Sequence, residues 1–392
     1  CKMNINEKIK SLIPEMKNWR HHIHENPEIA YEEKNTSKFI MNKLNEFGIE
    51  THADLGGTGI VGIIHGKDNG SSNKSIGIRA DMDALPMTEK TNLPYSSKNP
   101  GRMHACGHDG HTTMLMGAAK YLAETKNFSG TVYCIFQPAE EGGNAGAKSM
   151  INDGLFTKFN IDSVWGIHNW PGVPVGEAVA HKGFAMAGGD IIVITIQGKG
   201  GHAAQPQFSN DPIVSAGLTI TALQTLISRQ LDPFENSVLS LTKIEGGSAF
   251  NVIPDIVTIG GTLRSTNNKT REIMLEKIKN VATNACAINN CKVNVEIRPG
   301  YPPTVNDPKS AELASKVFEN SFGPNSINIK ETPTMGSEDF SYMLQEKPGA
   351  YIWLGSGEDH EKLHSVHYDF NDELLPIGAQ YWSNLAETIL TD

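Results

Sequence analysis

The spacing of apolar residues predicts that helices alternate with short buried strands along the chain. Ile9, Leu12, Met16 and Ile23 recur near the helical period, whereas residues 130–137 form a short, continuous apolar run. The predicted helices cover residues 5–25, 32–47, 211–230, 269–288, 308–322 and 372–390, and a further one follows residue 111. The predicted strands cover residues 59–66, 75–81, 130–137, 163–168, 190–197, 238–245, 253–264, 292–297, 327–331 and 350–354. This alternation is typical of an α/β domain.

The pattern changes at about residue 184. From there to residue 297 the predicted order is strand, helix, two strands, helix and strand, which is the order of a ferredoxin-like unit. The α/β alternation then resumes. We therefore expect a discontinuous α/β domain formed by residues 1–183 and 298–392, with an inserted ferredoxin-like α+β domain at 184–297.

Composition excludes several classes of protein. A net charge of −10 without a basic stripe argues against nucleic acid as a partner. No apolar run reaches membrane-spanning length, so we expect no membrane segment. The five cysteines show no paired framework, which favours a reducing, cytoplasmic location. Met3 looks like the natural start, with Cys1 and Lys2 added ahead of it.

A cluster of potential metal ligands occupies residues 103–111. It contains His104, Cys106, His108, Asp109 and His111 beside two glycines, and an apolar run with helical spacing follows. We interpret Cys106 and His108 as metal ligands and the other three as residues that orient the ligands and the helix start. The alternative is a polar loop around a buried structural cysteine.

More ligand-type residues follow other predicted strands. Asp81 and Asp83 come at the end of strand 75–81, Glu140 and Glu141 follow the next strand, and His168 ends strand 163–168. Ligand sites of open α/β sheets lie at such carboxyl ends. Asp83 is expected to support a ligand. The alternatives are a turn cap for Asp81 and Asp83, a solvated helix start for Glu140 and Glu141, and a core histidine for His168.

Histidines near the two ends of the chain are harder to interpret. Either His364 or His367 could complete the metal site. His21, His22 and His24 lie at the end of the first predicted helix, where the helix dipole alone favours cations.

Seven motifs resemble the M20 family of metallo-amidohydrolases, in the branch of hippurate hydrolases, N-acyl-amino-acid amidohydrolases and auxin-conjugate hydrolases. They occur in family order over nearly the whole chain. The motifs are Arg79-Ala80-Asp81-Met82-Asp83-Ala84-Leu85-Pro86, Cys106-Gly107-His108-Asp109-Gly110-His111, Gln137-Pro138-Ala139-Glu140-Glu141-Gly142, Gly200-Gly201-His202-Ala203-Ala204-Gln205-Pro206, Asn251-Val252-Ile253-Pro254, Gly336-Ser337-Glu338-Asp339-Phe340 and Leu363-His364-Ser365.

The resemblance implies two divalent metal ions per subunit and a general base, Glu140. The implied ligands are Cys106, His108, Glu141, His168 and His364, with Cys106 between the two metals. His367 remains the rival of His364. A donor set of nitrogen, oxygen and one sulfur fits Zn, Mn, Co or Ni.

The resemblance also implies that the inserted domain is a lid that forms a homodimer. His202 and Asn251 would bind the substrate and assist catalysis, in the partner subunit's site, and Arg264 would bind the substrate carboxylate. The expected reaction is hydrolysis of N-acyl-amino acids into a carboxylic acid and a free amino acid. The alternatives are a dipeptidase or carboxypeptidase on the same scaffold, a non-enzymatic metal-binding homologue, and a thiol enzyme with Cys106 as nucleophile and His108 as base.

Overall fold

A computed structural model of the chain describes residues 5–391, so the expectation about Cys1, Lys2 and Met3 lies outside the described residues. The chain forms two compact units. The larger, here called the α/β unit, contains the chain up to Ala185, Val305–Pro333 and the part from Asp339 onward. The smaller unit contains Met186–Thr304 and Thr334–Glu338.

The helices and strands are numbered in chain order. Those of the α/β unit are helices α1 (Glu7–Glu25), α2 (Lys34–Glu46), α3 (His108–Thr125), α4 (Gly146–Asn152), α5 (Leu155–Lys158), α8 (Pro308–Phe322), α9 (Phe340–Glu346) and α10 (Leu374–Ile389), and strands β1 (Glu50–Leu55), β2 (Gly59–His65), β3 (Ser75–Asp81), β4 (Thr131–Gln137), β5 (Ser163–Pro171), β6 (Ala178–Val179) and β15 (Gly349–Gly357). Those of the smaller unit are helices α6 (Pro212–Thr225) and α7 (Asn268–Ala287) and strands β8 (Gly188–Gln197), β9 (Gly201–His202), β10 (Ser237–Gly246), β11 (Val252–Ile253), β12 (Ile256–Ser265) and β13 (Lys292–Pro299). Two short strands, β7 (Phe184–Met186) and β14 (Thr304–Val305), fall at the limits of the units.

A seven-stranded sheet forms the centre of the α/β unit, in the order β1-β2-β4-β3-β5-β15-β6. Strands β4, β3, β5 and β15 are parallel to one another, and antiparallel strands flank them. Every residue of β3 is buried, because the strand has neighbours on both sides and helices above it. The parallel strands bring their carboxyl ends to one edge of the sheet, where Asp81 lies beside Gln137.

Helix α3 begins at this sheet edge and runs through the core. It is buried on all sides over most of its length, which is why its sequence is apolar with little amphipathic pattern. Helices α1 and α10 pack against it. His108, Asp109 and His111 lie in the first turn of α3 and Cys106 lies just before it, so the helix begins earlier than expected and the cluster is attached to the most deeply buried helix of the unit.

The smaller unit has a four-stranded sheet in the order β10-β12-β8-β13, and adjacent strands are antiparallel. Helices α6 and α7 pack on this sheet around a core of its own. When the two-residue strands β9 and β11 are set aside, the order along the chain is strand, helix, two strands, helix and strand.

The strands differ from the expectation at two places. Residues 327–331 do not form a strand, because the Asn328 side chain accepts hydrogen bonds from the backbone N–H of Lys330 and Glu331 and closes a turn. Strand β1 was not predicted, because it is an exposed edge strand with a mostly polar sequence. Among the described residues, no helix combines the length and the apolar character that crossing a bilayer requires.

Candidate metal centre

The Cys106 loop and β5 bring three potential ligands together. One ligand atom each of Cys106, His108 and His168 lies within 4.8 Å of the others, and Cys106 Sγ is 3.3 Å from His168 Nε2. Gly107, between the two loop ligands, has a φ of +96°. A Cβ at this position would lie 2.1 Å from Asn169 Oδ1, so the loop conformation requires glycine.

Backbone carbonyls orient both imidazoles of this group. His108 Nδ1 lies 2.8 Å from the carbonyl oxygen of Asp83, and His168 Nδ1 lies 2.7 Å from that of Asn169. Because a carbonyl only accepts, each Nδ1 donates its proton. In its neutral form each imidazole then has a lone pair on Nε2 that faces the site, which is the arrangement of a metal-ligating histidine.

A second group shares Cys106 with the first. It consists of Cys106, Glu141 and His364, again with ligand atoms within 4.8 Å of one another. His364 Nε2 lies 3.2 Å from Glu141 Oε1, and the His364 backbone N–H donates to the Ala105 carbonyl at 2.7 Å. The structure therefore brings all five residues that the resemblance implies as ligands into two overlapping groups. The rival His367 instead has its Nδ1 3.2 Å from the carbonyl oxygen of Lys90.

Glu140 lies at the side of this site. It forms a further group with His108 and Glu141, and it is only 7% exposed. Its neighbour Glu141 donates its backbone N–H to Asp83 Oδ2 at 2.9 Å. The two adjacent glutamates therefore both face the site.

Burial and nearby carboxylates govern the protonation of the ligands. Burial, followed by the charges of Glu141 and Glu140, raises the pKa of Cys106 well above its usual value. Burial lowers the pKa of His168 well below its usual value. Burial also lowers the pKa of His108, but the carboxylates of Asp81 and Asp83 outweigh it and raise this pKa to about 10.

The residues fit a divalent cation. His108 Nε2 and Glu141 Oε1 are buried and make no hydrogen bond of good geometry among the described residues, although Oε1 lies 3.2 Å from His364 Nε2. Two buried polar atoms left in this way beside a thiol and further carboxylates would be costly without a positive charge between them. A cation would satisfy these atoms and favour the Cys106 thiolate. Sulfur, imidazole nitrogen and carboxylate oxygen are together suited to Zn, Mn, Co or Ni.

Residues 77–388 match the family model described as Peptidase family M20/M25/M40. The chain belongs to this family. The resemblance seen in the sequence is confirmed, and the chain is a hydrolase rather than a non-enzymatic homologue.

The relatives similar to this chain include a hippurate hydrolase and a carboxypeptidase. The chain is 44% identical to the hippurate hydrolase of Campylobacter jejuni, an alignment that covers 98% of this chain and 99% of the relative. It is 37% identical to thermostable carboxypeptidase 1 of Saccharolobus solfataricus, covering 96% of this chain and 97% of the relative. The crystal structure of Bacillus subtilis YXEP, a dinuclear metal-binding M20 peptidase, superposes with a TM-score of 0.84 at 33% identity, covering 97% and 99% of the two chains. The α/β fold with a large central sheet is thus the fold of solved M20 proteins.

In this M20 chain, a polar network holds the ligand loop against the sheet. His111 Nδ1 lies 2.6 Å from Asp81 Oδ1, and its Nε2 contacts Asn169, the residue after His168. Asn169 also contacts the Tyr368 hydroxyl. His111 therefore connects the ends of β3 and β5, in line with the orienting role expected for it.

Asp109 anchors a second network that the sequence did not reveal. Its Oδ2 lies 3.1 Å from the Arg20 guanidinium and 2.9 Å from His24 Nδ1, and His24 Nε2 lies 3.1 Å from Glu89. Although burial lowers the pKa of His24, hydrogen bonds to the two carboxylates raise it to about 9. A helix dipole does not account for this buried imidazolium. Its partners are far apart along the chain, so no local sequence pattern marks them.

The other candidate residues lie in the smaller unit. β9 pairs with β11, so His202 is opposite Val252, and the Ala203 backbone N–H donates to the Asn251 carbonyl. His202 and Asn251 are therefore neighbours, and both are exposed.

Arg264 occupies a position on β12 opposite Gly189 of β8. A Cβ on Gly189 would lie 1.9 Å from an Arg264 guanidinium nitrogen, so this glycine makes room for the side chain. The guanidinium donates to Ser337 Oγ at 3.0 Å. It forms no ion pair with the described residues, so its charge can bind an anion.

Proposed function

We propose that this chain hydrolyses the amide bond of N-acyl-amino acids and releases a carboxylic acid and a free amino acid. The observation that carries the proposal is the pair of ligand groups sharing Cys106, with Glu140 beside them. The similarity to a hippurate hydrolase over nearly the full length of both chains supports this substrate class.

The two ligand groups define where divalent ions would bind. Cys106 would serve both ions, with His108 and His168 on one side and Glu141 and His364 on the other. Divalent ions at such a site polarise a carbonyl and make water acidic enough to attack at neutral pH.

Glu140 is the residue that we assign to proton transfer. Its carboxylate is buried next to His108 and Glu141 and is part of the site. A carboxylate in this position can accept a proton from the attacking water and later donate it to the leaving amine nitrogen. Glu141, whose side chain contacts His364, is instead assigned to metal binding.

We assign substrate recognition to the smaller unit, as a lid. His202 and Asn251 would donate hydrogen bonds to the oxygen that becomes negatively charged. Arg264 would bind the α-carboxylate of the substrate in a bidentate manner. An amide without that carboxylate should therefore be a poor substrate.

We also propose that the smaller unit forms a homodimer, through which His202 and Asn251 reach the partner's site. The outer strand β10 exposes large apolar side chains, including Val238 and Ile244, and α6 exposes Ile213 and Val214. An exposed edge strand with apolar residues is suited to pairing with another chain.

Carboxypeptidase activity is the second candidate, because a carboxypeptidase is among the similar full-length relatives. Both reactions break an amide next to a free carboxylate, so the same residues would serve either. A thiol mechanism is less consistent with the site, because burial and the carboxylates raise the pKa of Cys106 and disfavour a free thiolate nucleophile.

Metal analysis followed by a substrate panel tests the proposal. The panel contains benzoyl-, acetyl- and indoleacetyl-amino acids and dipeptides, together with a benzoyl amide that lacks the carboxylate. We expect hydrolysis of at least one acyl-amino acid, loss of activity after metal removal and recovery when divalent metal is restored. Full activity in a metal-free sample would refute the metal-dependent reaction, and cleavage of dipeptides alone would favour the second candidate.

A further inference from the structure

The turn that presents the two glutamates has an unfavourable backbone conformation. Ala139, directly before Glu140, has a φ of +55°, in the left-handed region that L-residues with a Cβ disfavour. Ala139 is completely buried. A rotation of its backbone would redirect Glu140, the next residue, so something must hold the turn in place.

Glu33 makes the contact that holds it. Its side chain comes from the residue just before α2, is completely buried, and accepts the Ala139 backbone N–H on Oε1 at 2.9 Å. The other oxygen, Oε2, accepts the Thr58 hydroxyl at 2.8 Å. Both oxygens of Glu33 are thereby fixed, and one of them is bound to the strained residue.

Other contacts complete the attachment of the turn. The Ala139 carbonyl accepts the backbone N–H of Gly146 at 3.0 Å, and Asp83 Oδ2 accepts the backbone N–H of Glu141 at 2.9 Å. Glu33 and Asp83 therefore fasten the segment at its first and last residues. Asp83 also contacts the candidate ligand His108, whereas the Glu33 side chain accepts hydrogen bonds from the turn and from Thr58.

A buried carboxyl group at this position costs stability when it is ionised. Burial, followed by the charge of Asp83, raises the pKa of Glu33 to about 7. At a pH where such a group is ionised, it lowers the free energy of unfolding. The group remains useful here because it accepts the Ala139 N–H and the Thr58 hydroxyl, which an apolar residue would leave unpaired.

We propose that Glu33 is a positioning residue that keeps Ala139 in the left-handed conformation and so aims Glu140 at the substrate. The proposal rests on the proposed function, in which Glu140 transfers the proton. Glu33 acts through the backbone and touches neither substrate nor metal.

The test compares Glu33→Met with Glu28→Met, measured on the full-length, metal-loaded protein. Glu28 is the matched control, because it is also buried before α2 and accepts backbone N–H groups, those of Asn35 and Thr36, yet does not contact the turn. We expect Glu33→Met to lower kcat by about tenfold to a hundredfold with KM changed less than about threefold. Glu28→Met should change kcat by less than about twofold, and neither variant should lose metal.

Rescue distinguishes positioning from a general loss of stability. Glycine adopts a positive φ without a Cβ penalty, so Ala139→Gly in the Glu33→Met background should recover about fivefold in kcat and should recover nothing in a Glu28→Met background. Glu33→Gln, which keeps an acceptor for the Ala139 N–H, should stay within about threefold of the wild type. If Glu33→Met does not fold, Thr58→Val, which frees Oε2 alone, should lower kcat by about twofold to fivefold.

Each result has a clear meaning. Equal losses in the Glu33 and Glu28 variants, or no recovery from Ala139→Gly, would overturn the positioning role. If the wild type hydrolyses none of the acyl-amino acids or peptides, the proposed function fails instead. The role of Glu33 in the turn then remains testable from the φ of Ala139 in a crystal structure of Glu33→Met, where a retained positive φ would contradict it.

Discussion

The two sets of candidate residues differ in how firmly the fold holds them. In the α/β unit, His108 and His168 are buried and each imidazole is oriented by a backbone carbonyl. In the smaller unit, His202 and Asn251 are exposed, and Ser337 is the hydrogen-bond partner of the Arg264 guanidinium.

The two sets therefore meet different requirements. A metal site gains affinity when its ligands are fixed beforehand, because no side-chain freedom is then lost on binding. Groups that close over a substrate must remain accessible until it arrives. His364 is intermediate, because its side chain is 53% exposed although its backbone is bound to Ala105.

The largest effect is expected from Glu140→Gln. The substitution removes the proton acceptor but keeps the shape, so kcat should fall by about 10²–10⁴-fold while metal content stays constant. Glu141→Gln is the control, because it should lower metal content as well. Kinetics and metal analysis of both variants decide the matter. Metal loss in the Glu140 variant with residual activity would mean that the two glutamates have been assigned in the wrong order.

A somewhat smaller effect is expected from His202→Ala or Asn251→Ala. Each removes one proposed donor to the oxyanion, so kcat should fall by about 10²–10³-fold without a change in metal content. Because both residues are exposed, their removal should leave the unfolding midpoint unchanged. Mixing His202→Ala with Glu140→Gln should restore part of the activity if His202 acts in the partner's site, whereas no restoration would place its action within one chain.

Asp83→Asn tests whether the candidate metal ligands of the α/β unit need the hydrogen bonds that Asp83 makes. Asp83 Oδ1 lies 3.2 Å from His108 Nδ1 and Oδ2 accepts the Glu141 N–H, so the variant should weaken metal affinity by about 10–100-fold. Asp162→Asn is matched, because Asp162 accepts the Ser75 N–H at the other end of β3 and should leave metal affinity unaffected. Equal affinities of the two variants, measured by titration of the metal-free proteins, would argue that the ligands need no such support.

The sequence predicts the parts of this molecule whose chemistry is local. The strong apolar pattern gave α1, β3, β4 and α8 nearly residue by residue. The ligand-type residues at strand ends pointed to one edge of the sheet, since parallel strands bring their carboxyl ends together. Strand β1 lacked the signal because it is polar and exposed, and the pattern at 327–331 was outweighed by the turn that Asn328 closes.

Contacts between distant segments could not be predicted in this way. Glu33 lies 106 residues before Ala139, and Arg20 lies 89 residues before Asp109. A single sequence does not show which of its many carboxylates pairs with which distant N–H or cation. His24 illustrates this limit, because its position suggested only a helix end while the fold buries it between two carboxylates.

His24, which contacts Asp109 of the candidate ligand cluster, should contribute to stability and leave the rate near neutral pH unaltered. The pKa of His24 is raised to about 9, so the folded protein binds its proton more tightly than the unfolded chain does. This contribution is complete below the unfolded pKa of about 6.5 and is lost as pH rises through about 9. The free energy of unfolding should therefore decline by about 2 kcal/mol between pH 7 and pH 9 on account of His24.

Urea unfolding at several pH values measures this decline, with His24→Gln as the test and His22→Gln as the control. His22 lies on the same helix and packs against the Phe39 ring, so its variant should keep the wild-type pH dependence. His24→Gln should lose stability at pH 7 and show a flatter profile towards pH 9, because the group that titrates has been removed. Parallel profiles for His24→Gln and the wild type would mean that His24 is neutral in the folded protein, and that Asp109 is balanced by Arg20 alone.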